Sequence, residues 1–154
     1  MLGSIIGDIV GSSYEFHNIK SKDFKLFSEK CCFTDDTILT CATAEWLLSN
    51  KKPEELLKKW GNLYKNRIYE NGKMGAFGQG FTNWLKTGEP YGAKKNGCIM
   101  RLSLIPLMID DLKQALDKAI CFFEAKNIFV TNIKSLIKLS KYYIIKSVFL
   151  RGIL

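Results

Sequence analysis

The amino-acid sequence predicts an all-α protein with a single helical domain. Apolar residues recur at helical spacing through most of the 154 residues. The composition, with 47% hydrophobic and 25% charged residues, is typical of a globular chain that buries a core. No internal repeat or long linker divides the sequence, so one domain is the simplest organisation.

The chain lacks the sequence features of an exported or membrane-spanning protein. Its apolar stretches are interrupted by Lys, Asp or Gly before they reach the roughly 18 residues that a span requires. The N-terminus has no basic segment and carries Asp8 within its apolar part, which makes a poor signal peptide. The five cysteines are odd in number and follow no metal-ligand spacing. We therefore expect a cytoplasmic protein with reduced thiols and no membrane span.

The net charge of +8 is concentrated at the C-terminal end. Six basic residues and no acidic residue follow Glu124, whereas residues 1–125 contain 17 basic and 15 acidic residues. A nucleic-acid partner for the whole chain is therefore not expected. We divide the chain into a helical region, residues 1–124, and a basic tail rich in Lys and Ile, residues 125–154.

The first helix is predicted in "LGSIIGDIVGSSYEF", where apolar residues follow a helical period. Gly3, Gly7 and Gly11 are four residues apart, a spacing that allows another backbone to approach closely. Asp8 and Glu15 are seven residues apart, so in one helix they would lie two turns apart on nearly the same face.

A mixed, loop-like segment follows, and a second helix is predicted from Asp35 to Leu48. Its buried side is predicted to contain Ile38, Leu39, Ala42, Trp46 and Leu47.

The remaining segments also indicate helices joined by turns. Pro53 and two glutamates are a typical helix start. Four glycines between Gly72 and Gly80 predict a loop, which a short helix follows. The apolar run "CIMRLSLIPLMI" suggests a buried helix that Pro106 kinks or interrupts. The last clear helix has Asp110 and Asp111 at its N-terminal end.

The stretch "FTDDTILT" places two carboxylates next to each other at the start of the second helix. One interpretation is a helix cap, with Thr34 as the capping residue and both acids near the positive end of the helix dipole. The other is a metal site, because clustered carboxylates and hydroxyls are hard oxygen ligands for Mg²⁺, Mn²⁺ or Ca²⁺. A divalent ion would also remove the repulsion between Asp35 and Asp36.

Three motifs together resemble the ADP-ribosylglycohydrolase family. They are "GSIIGDIVGSSYEF", "FTDDTILT" and "NGCIMRLS", in that order, and "GAFGQGF" resembles the glycine-rich loop between the last two. The matching residues are Gly7, Asp8, Gly11, Glu15, Thr34 to Thr37, Asn96, Gly97, Met100 and Arg101. The resemblance covers roughly residues 1 to 110, and three ordered motifs are far more specific than one.

The resemblance implies an all-α fold that binds two Mg²⁺ ions in a cleft for ADP-ribose, of which this chain supplies the N-terminal part. It implies that Thr34, Asp35 and Asp36 are metal ligands and that Glu15 and Asp36 are catalytic. It also implies substrate-binding roles for a set of residues from the first helix and the two glycine-rich segments: Asp8, Gly78, Asn96, Gly97, Cys98 and Met100. The expected substrate is an ADP-ribosylated protein or a small ADP-ribose conjugate.

Part of the family pattern is missing. The family has a histidine-containing segment and a C-terminal Asp-x-Asp-Thr motif, whereas His17 is the only histidine here and no acid follows Glu124. Ile99 and Lys95 also replace residues that are usually smaller. We therefore expect one Mg²⁺ rather than two and low activity. The tail is interpreted first as out-of-frame or truncated sequence, second as an amphipathic surface helix, and third as a helix for an anionic partner.

Three functions follow from these observations. The first is Mg²⁺-dependent hydrolysis of ADP-ribosyl linkages. The second is a non-catalytic remnant that binds metal or ADP-ribose. The third is a basic interaction module, in which the Thr-Asp-Asp-Thr stretch only caps a helix.

Overall fold

The computed structural model describes residues 2–68, 76–89 and 104–124. Within these ranges the chain forms helices joined by irregular segments and contains no β-strand. The helices are α1 (Leu2–Ser12), α2 (Asp35–Leu47), α3 (Pro53–Tyr64), α4 (Gln79–Thr87), α5 (Ile105–Met108) and α6 (Leu112–Glu124). The predicted all-α fold class is confirmed. None of the described helices is long and apolar enough to cross a membrane.

Helix α2 begins where the sequence predicts. Thr34 is in the extended region and its hydroxyl accepts a hydrogen bond from the Asp36 amide at 3.4 Å, which satisfies one of the unpaired N–H groups of the first turn. Asp35 and Asp36 occupy that first turn. The helix ends at Leu47, and Leu48 closes it by donating its amide to the Ala44 carbonyl at 3.1 Å. The predicted boundaries are therefore correct to within one residue.

The core forms around α2, which packs most extensively against α3. Trp46 of α2 contacts Phe122 of α6 with ring centroids 5.5 Å apart, and Phe81 stacks on Trp84 within α4. Aromatic pairs at such separations add to the stabilisation from buried area. The buried apolar residues of this core are Ile38, Leu39, Ala42, Trp46, Leu56, Leu57, Ala76, Phe81, Trp84, Ile105, Ala115, Ala119 and Phe122.

Helix α3 starts at Pro53, as predicted, and a polar contact joins it to α2. The Glu45 carboxylate accepts hydrogen bonds from Lys59 Nζ at 2.7 Å and from Trp60 Nε1 at 2.6 Å. The Lys59 hydrogen bond, followed by that of Trp60, lowers the pKa of Glu45. The pair therefore stabilises the fold above the pKa of Glu45 in the unfolded chain, and this stabilisation is lost as the pH falls through the lowered native pKa. The contribution is small because the ion pair is exposed.

Helix α1 differs from the prediction in two respects. It ends at Ser12, where the Tyr14 amide turns back to the Gly11 carbonyl, so Asp8 and Glu15 do not lie on one face of a single helix. The three spaced glycines also make no close backbone contact, since a Cβ at Gly3, Gly7 or Gly11 would meet nothing within 4 Å. No residue of α1 is buried.

Two further predictions concern the later part of the chain. Pro106 lies in the first turn of α5, where the missing N–H has no intrahelical partner to lose. Residues 98–103 of the predicted apolar helix are not described, so its kink or interruption at Pro106 stays a prediction. Gln79 and Gly80, predicted to be in a loop, begin α4. Residues 72–75, 98–103 and the tail at 125–154 lie outside the described residues, as does the division between domain and tail.

Helix α6 begins at Leu112, as expected from the two preceding aspartates. The Asp111 carboxylate accepts a hydrogen bond from the Gln114 amide at 2.7 Å. This contact satisfies one amide of the first turn in the manner of an N-cap, so Asp111 has a structural role.

The contact between α3 and α4 depends on the lack of a side chain at Gly61. A Cβ at this position would lie 2.6 Å from Leu85 Cδ2 and 3.0 Å from Phe81 Cε1. We predict that Gly61→Val lowers the free energy of unfolding by about 1–3 kcal/mol, because the added methyl groups overpack this contact. Urea unfolding followed by circular dichroism measures the change.

Gly3→Val is the control, because a Cβ there meets no atom within 4 Å. It changes only the intrinsic preference of an exposed helix, by well under 1 kcal/mol relative to glycine. Equal stabilities of the two variants would show that α4 does not pack on α3 at Gly61.

Candidate functional site

A pocket of about 500 Å³ lies between α1 and the start of α2. This volume is in the usual range for small-molecule sites. The lining residues belong to α1, to the turn after it, and to the first residues of the Thr-Asp-Asp-Thr stretch. They are Ser4, Gly7, Asp8, Gly11, Ser12, Glu15, Thr34, Asp35 and Asp36.

The lining is strongly acidic. It contains four carboxylates, from Asp8, Glu15, Asp35 and Asp36, and no Lys, Arg or His is among the described residues that form it. Such a concentration of one sign of charge in a concave site attracts cations. Gly7 and Gly11 leave the α1 side of the pocket open, because they place no side chain there.

The carboxylate of Asp8 connects α1 to the start of α2. Its Oδ2 accepts from the amide of Thr34 at 2.8 Å, from the amide of Thr37 at 3.2 Å and from the hydroxyl of Thr37 at 2.5 Å. Its Oδ1 accepts from the Thr34 hydroxyl at 2.5 Å. Asp8 thus caps α2 from a different helix, and the negative charge lies at the positive end of the α2 dipole.

These contacts define what Asp8 does in the pocket. A carboxylate offers about four acceptor positions, and Asp8 uses four hydrogen bonds within the protein. The structure therefore gives Asp8 a positioning role, in which it holds the Thr-Asp-Asp-Thr stretch against α1. Its predicted contact with substrate stays a prediction.

The two interpretations of Thr34–Thr37 are compatible. Thr34 is the helix cap, as the simpler interpretation proposes. At the same time Thr34, Asp35 and Asp36 line one pocket together with Glu15, as the metal interpretation requires of its candidate ligands. The capping residue and the acidic lining are thus neighbouring parts of one structure.

The described residues of the pocket do not form a ready-made metal centre. Among residues 2–68, 76–89 and 104–124, no three Asp, Glu, His or Cys side chains are placed to hold one ion. Mg²⁺ is commonly bound through one or two carboxylates while it keeps several waters. Thr34, Asp35 and Asp36 line the pocket together and include two carboxylates, and their role as ligands of a single ion stays a prediction.

Glu15 reaches the pocket from the turn that follows α1. The turn is held by Tyr14, whose hydroxyl donates to the Lys25 carbonyl at 2.7 Å and whose ring contacts that of Phe24 edge to face. The Ser12 hydroxyl accepts the Cys32 amide at 2.9 Å, which brings the chain back beside α1 just before Thr34. Glu15 and the Thr-Asp-Asp-Thr stretch are therefore brought together by a loop rather than by one helix face.

Several residues of this site were not predicted. Ser4 and Ser12 line the pocket and lie four residues before and after Asp8. Residues four apart share one face of a helix, so this spacing could have predicted that they lie beside Asp8. Cys31 lies next to the site, where its sulfur is 3.2 Å from the Ser13 hydroxyl and accepts the Ser28 amide at 3.2 Å. The Ser13 contact, followed by those of Ser28, lowers the pKa of the Cys31 thiol. No sequence spacing indicated this cluster.

Of the other predicted substrate-binding residues, the structure describes Gly78, which does not line the pocket. Gly78 is exposed at the start of α4 and is absent from the lining. Asn96, Gly97, Cys98 and Met100 lie outside the described residues, so their predicted roles stay predictions.

Comparison with known proteins identifies one family. The family model described as ADP-ribosylglycohydrolase matches residues 1–124. Neither a curated protein nor a solved structure matches the chain. The matched region includes every residue of the acidic pocket.

The role of Asp8 is tested by Asp8→Asn, which removes the charge and replaces one acceptor by a donor that faces other donors. We predict that amide hydrogen exchange at Thr34 and Thr37 becomes about 30-fold faster, which corresponds to about 2 kcal/mol for hydrogen bonds to a charged group. The exchange rates, measured by NMR, report directly on the two amides that Asp8 accepts.

Asp23→Asn is the matched control, since Asp23 is exposed and outside the pocket. It should leave both exchange rates unchanged. Unchanged rates in Asp8→Asn would contradict the assignment of Asp8 as the connection between α1 and α2.

The thiols of Cys31 and Cys41 should react with iodoacetamide over different pH ranges. The pKa of Cys31 is lowered by serine donors, whereas burial raises the pKa of Cys41. Because the thiolate reacts, the alkylation rate of Cys31 should rise at lower pH than that of Cys41. Ser13→Ala should move the Cys31 profile to higher pH, and Ser49→Ala, at the end of α2, should not. Mass spectrometry of peptides measures the alkylation of each cysteine separately. Identical pH profiles for Cys31 and Cys41 would contradict this prediction.

Proposed function

The chain belongs to the ADP-ribosylglycohydrolase family, and we propose that it hydrolyses ADP-ribosyl glycosidic linkages in a Mg²⁺-dependent reaction. The observation that carries the proposal is the acidic pocket, in which Glu15, Thr34, Asp35 and Asp36 face a common space. The substrate class is an ADP-ribosylated protein side chain or a small ADP-ribose conjugate.

The proposed reaction breaks the bond between the anomeric carbon of the ribose and a nitrogen or oxygen of the acceptor. A water molecule attacks this carbon and loses a proton, and the leaving group gains one. Carboxylates are suited to both transfers when they lie on the two sides of the bond. The pocket supplies four carboxylates within one cavity, which supports this class of chemistry.

We assign proton transfer to Glu15 and Asp36. Glu15 enters the pocket from the turn after α1, and Asp36 enters it from the first turn of α2, so the two approach from different elements. Asp8 is assigned to positioning, because its acceptor positions are used to hold Thr34 and Thr37. Positioning of this kind contributes to rate by fixing the reacting groups relative to one another.

The proposed Mg²⁺ ligands are Thr34, Asp35 and Asp36, with water completing the coordination. When bound, the ion supplies positive charge that orients ribose hydroxyls and polarises a nearby oxygen. The pyrophosphate of the substrate is negatively charged, and every charged side chain in the described lining is acidic. A bound cation is therefore needed to reduce the repulsion between substrate and pocket.

We propose that turnover by this chain is slow. The proposed ligands hold one ion rather than two, and Asn96, Gly97, Cys98 and Met100, which the family resemblance assigns to substrate binding, lie outside the described residues. A ribose held by fewer groups is less well oriented, and orientation is a large part of the rate advantage of an enzyme.

A second candidate function is metal or ADP-ribose binding without catalysis. It rests on the same acidic pocket, whose carboxylates attract cations whether or not a reaction follows. Binding is expected for both functions, so only the release of free ADP-ribose distinguishes hydrolysis from binding alone.

The hydrolase proposal predicts Mg²⁺-dependent release of free ADP-ribose from ADP-ribosyl-arginine or from a peptide ADP-ribosylated on serine. Asp36→Asn should reduce the rate about 100-fold or more, since it removes both a proton acceptor and an ion ligand. Chromatography of released ADP-ribose, with Mg²⁺ and with excess chelator, measures the activity. Asp23→Asn is the control because it changes an exposed carboxylate outside the pocket.

Mn²⁺ binding, followed by its electron paramagnetic resonance signal, gives a second readout that does not require turnover. Binding that is lost in Asp35→Asn and Asp36→Asn without any product release would support the binding-only function. Product release that is indifferent to chelator and to Asp36→Asn would exclude the proposed site.

A further inference from the structure

The segment between α1 and α2 forms a closed loop beside the acidic pocket. Its ends are joined by the Ser13 and Ser28 hydroxyls, 3.0 Å apart, and by the hydrogen bond from the Cys32 amide to Ser12 Oγ at 2.9 Å. Loops of this length whose ends meet are compact surface structures that often carry function. We refer to residues 16–27 as the tip loop.

The tip loop exposes an unusual amount of apolar surface. Among the described residues, five large exposed apolar side chains lie within these twelve consecutive positions: Phe16, Ile19, Phe24, Leu26 and Phe27. Phe16 and Phe27 are 63% and 59% exposed. A concentration of apolar side chains that the fold does not cover usually marks a contact surface for a partner.

The same loop is basic. Lys20, Lys22 and Lys25 alternate with the apolar residues, all three are exposed, and Asp23 is the one acidic residue of the tip loop. If a partner covers the apolar side chains of the tip loop, the lysines beside them can contact anionic groups of that partner. This charge contrasts with that of the neighbouring pocket, whose charged lining is entirely acidic.

We propose that the tip loop is a docking surface for anionic lipid membranes. Interfacial segments combine aromatic and aliphatic side chains, which enter the headgroup region, with lysines that interact with lipid phosphates. The tip loop contains both kinds of side chain in one anchored structure. Docking would place the adjacent acidic pocket near the membrane surface, where it is accessible to membrane-associated substrates.

The composition favours lipid over the two other anionic partners. Lysine is depleted at protein–protein interfaces, where Trp, Tyr and Arg are typical anchors, and the tip loop has three lysines and none of those three residue types. Single-stranded nucleic acid is bound by aromatic stacking, yet Ile19 and Leu26 are aliphatic and cannot stack on bases. A headgroup layer accepts aliphatic and aromatic side chains alike.

The test is cosedimentation of the full chain with vesicles of phosphatidylcholine alone or mixed with phosphatidylglycerol. We expect binding to the anionic vesicles that weakens as salt is added. Lys20→Gln combined with Lys22→Gln should weaken binding about 25-fold, from roughly fivefold for each lysine. Phe16→Ser and Phe27→Ser should each weaken it about tenfold through the loss of apolar burial.

Matched controls separate the tip loop from general effects of charge and hydrophobicity. Leu48→Ser removes an apolar side chain that is 75% exposed, and Lys51→Gln with Lys52→Gln removes two exposed lysines, both at the far end of α2. Lys134→Gln with Lys138→Gln tests the basic tail. All of these should retain binding, and the circular dichroism spectrum of each variant checks its folding.

Three results would overturn the proposal. They are the absence of binding to anionic vesicles, equal binding by the tip-loop and control variants, and loss of binding only in the tail variant. Tip-loop variants that keep vesicle binding but lose binding to a fluorescent oligouridylate would assign the loop to nucleic acid instead. None of these outcomes depends on ADP-ribosyl hydrolysis, so the two proposals are tested separately.

Discussion

The Asp8 carboxylate accepts four hydrogen bonds, and these bonds fix α1 against the start of α2. Asp8 of α1 binds the amide and hydroxyl of Thr34 and of Thr37, and no other contact described for α1 fixes the start of α2 as directly. An N-terminal helix end has several amides without intrahelical partners, and these amides supply half of the donors. The requirement to satisfy backbone amides thus brings together the two elements that form the acidic pocket.

The first turn of helix α2 lines the pocket, and its later turns pack in the core. Its first turn presents Asp35 and Asp36, whereas its later turns bury Ile38, Leu39 and Trp46 against neighbouring helices. Burial of these side chains fixes the axis of the helix, and the axis fixes the position of the two carboxylates. The repulsion between adjacent acids is therefore opposed by hydrophobic burial elsewhere in the same helix and by the helix dipole.

Sequence patterns were sufficient to predict much of the fold. The starts of α2 and α3 follow from Thr34 and Pro53, because capping and proline geometry are local effects. The end of α1 was mispredicted, since the apolar period continues to Tyr14 while the helix ends at Ser12 and the backbone turns there. Such a turn depends on contacts with residues far along the chain, including the bond between Ser12 and Cys32, which no local pattern encodes.

The acidic composition of the site was predictable, but the roles within it were not. The Thr-Asp-Asp-Thr stretch indicated clustered oxygen ligands, and the structure brings Glu15 to the same pocket. The saturated hydrogen bonding of Asp8 and the thiol cluster at Cys31 depend on side-chain orientation across the chain. They could be recognised only once the loop that joins α1 to α2 was in place.

The lack of buried residues in α1 has a consequence for how the pocket persists. Cooperative unfolding units are defined by shared apolar burial, and α1 shares none with the core around α2 and Phe122. Separation of α1 from α2 would break the hydrogen bonds of Asp8 and expose the half-buried Ile5, Ile9 and Val10, but it would leave that core intact. We therefore expect the pocket to open more readily than the core unfolds. A cation or ligand that bridges α1 and α2 would select the assembled form, and part of its binding energy would be spent on that equilibrium.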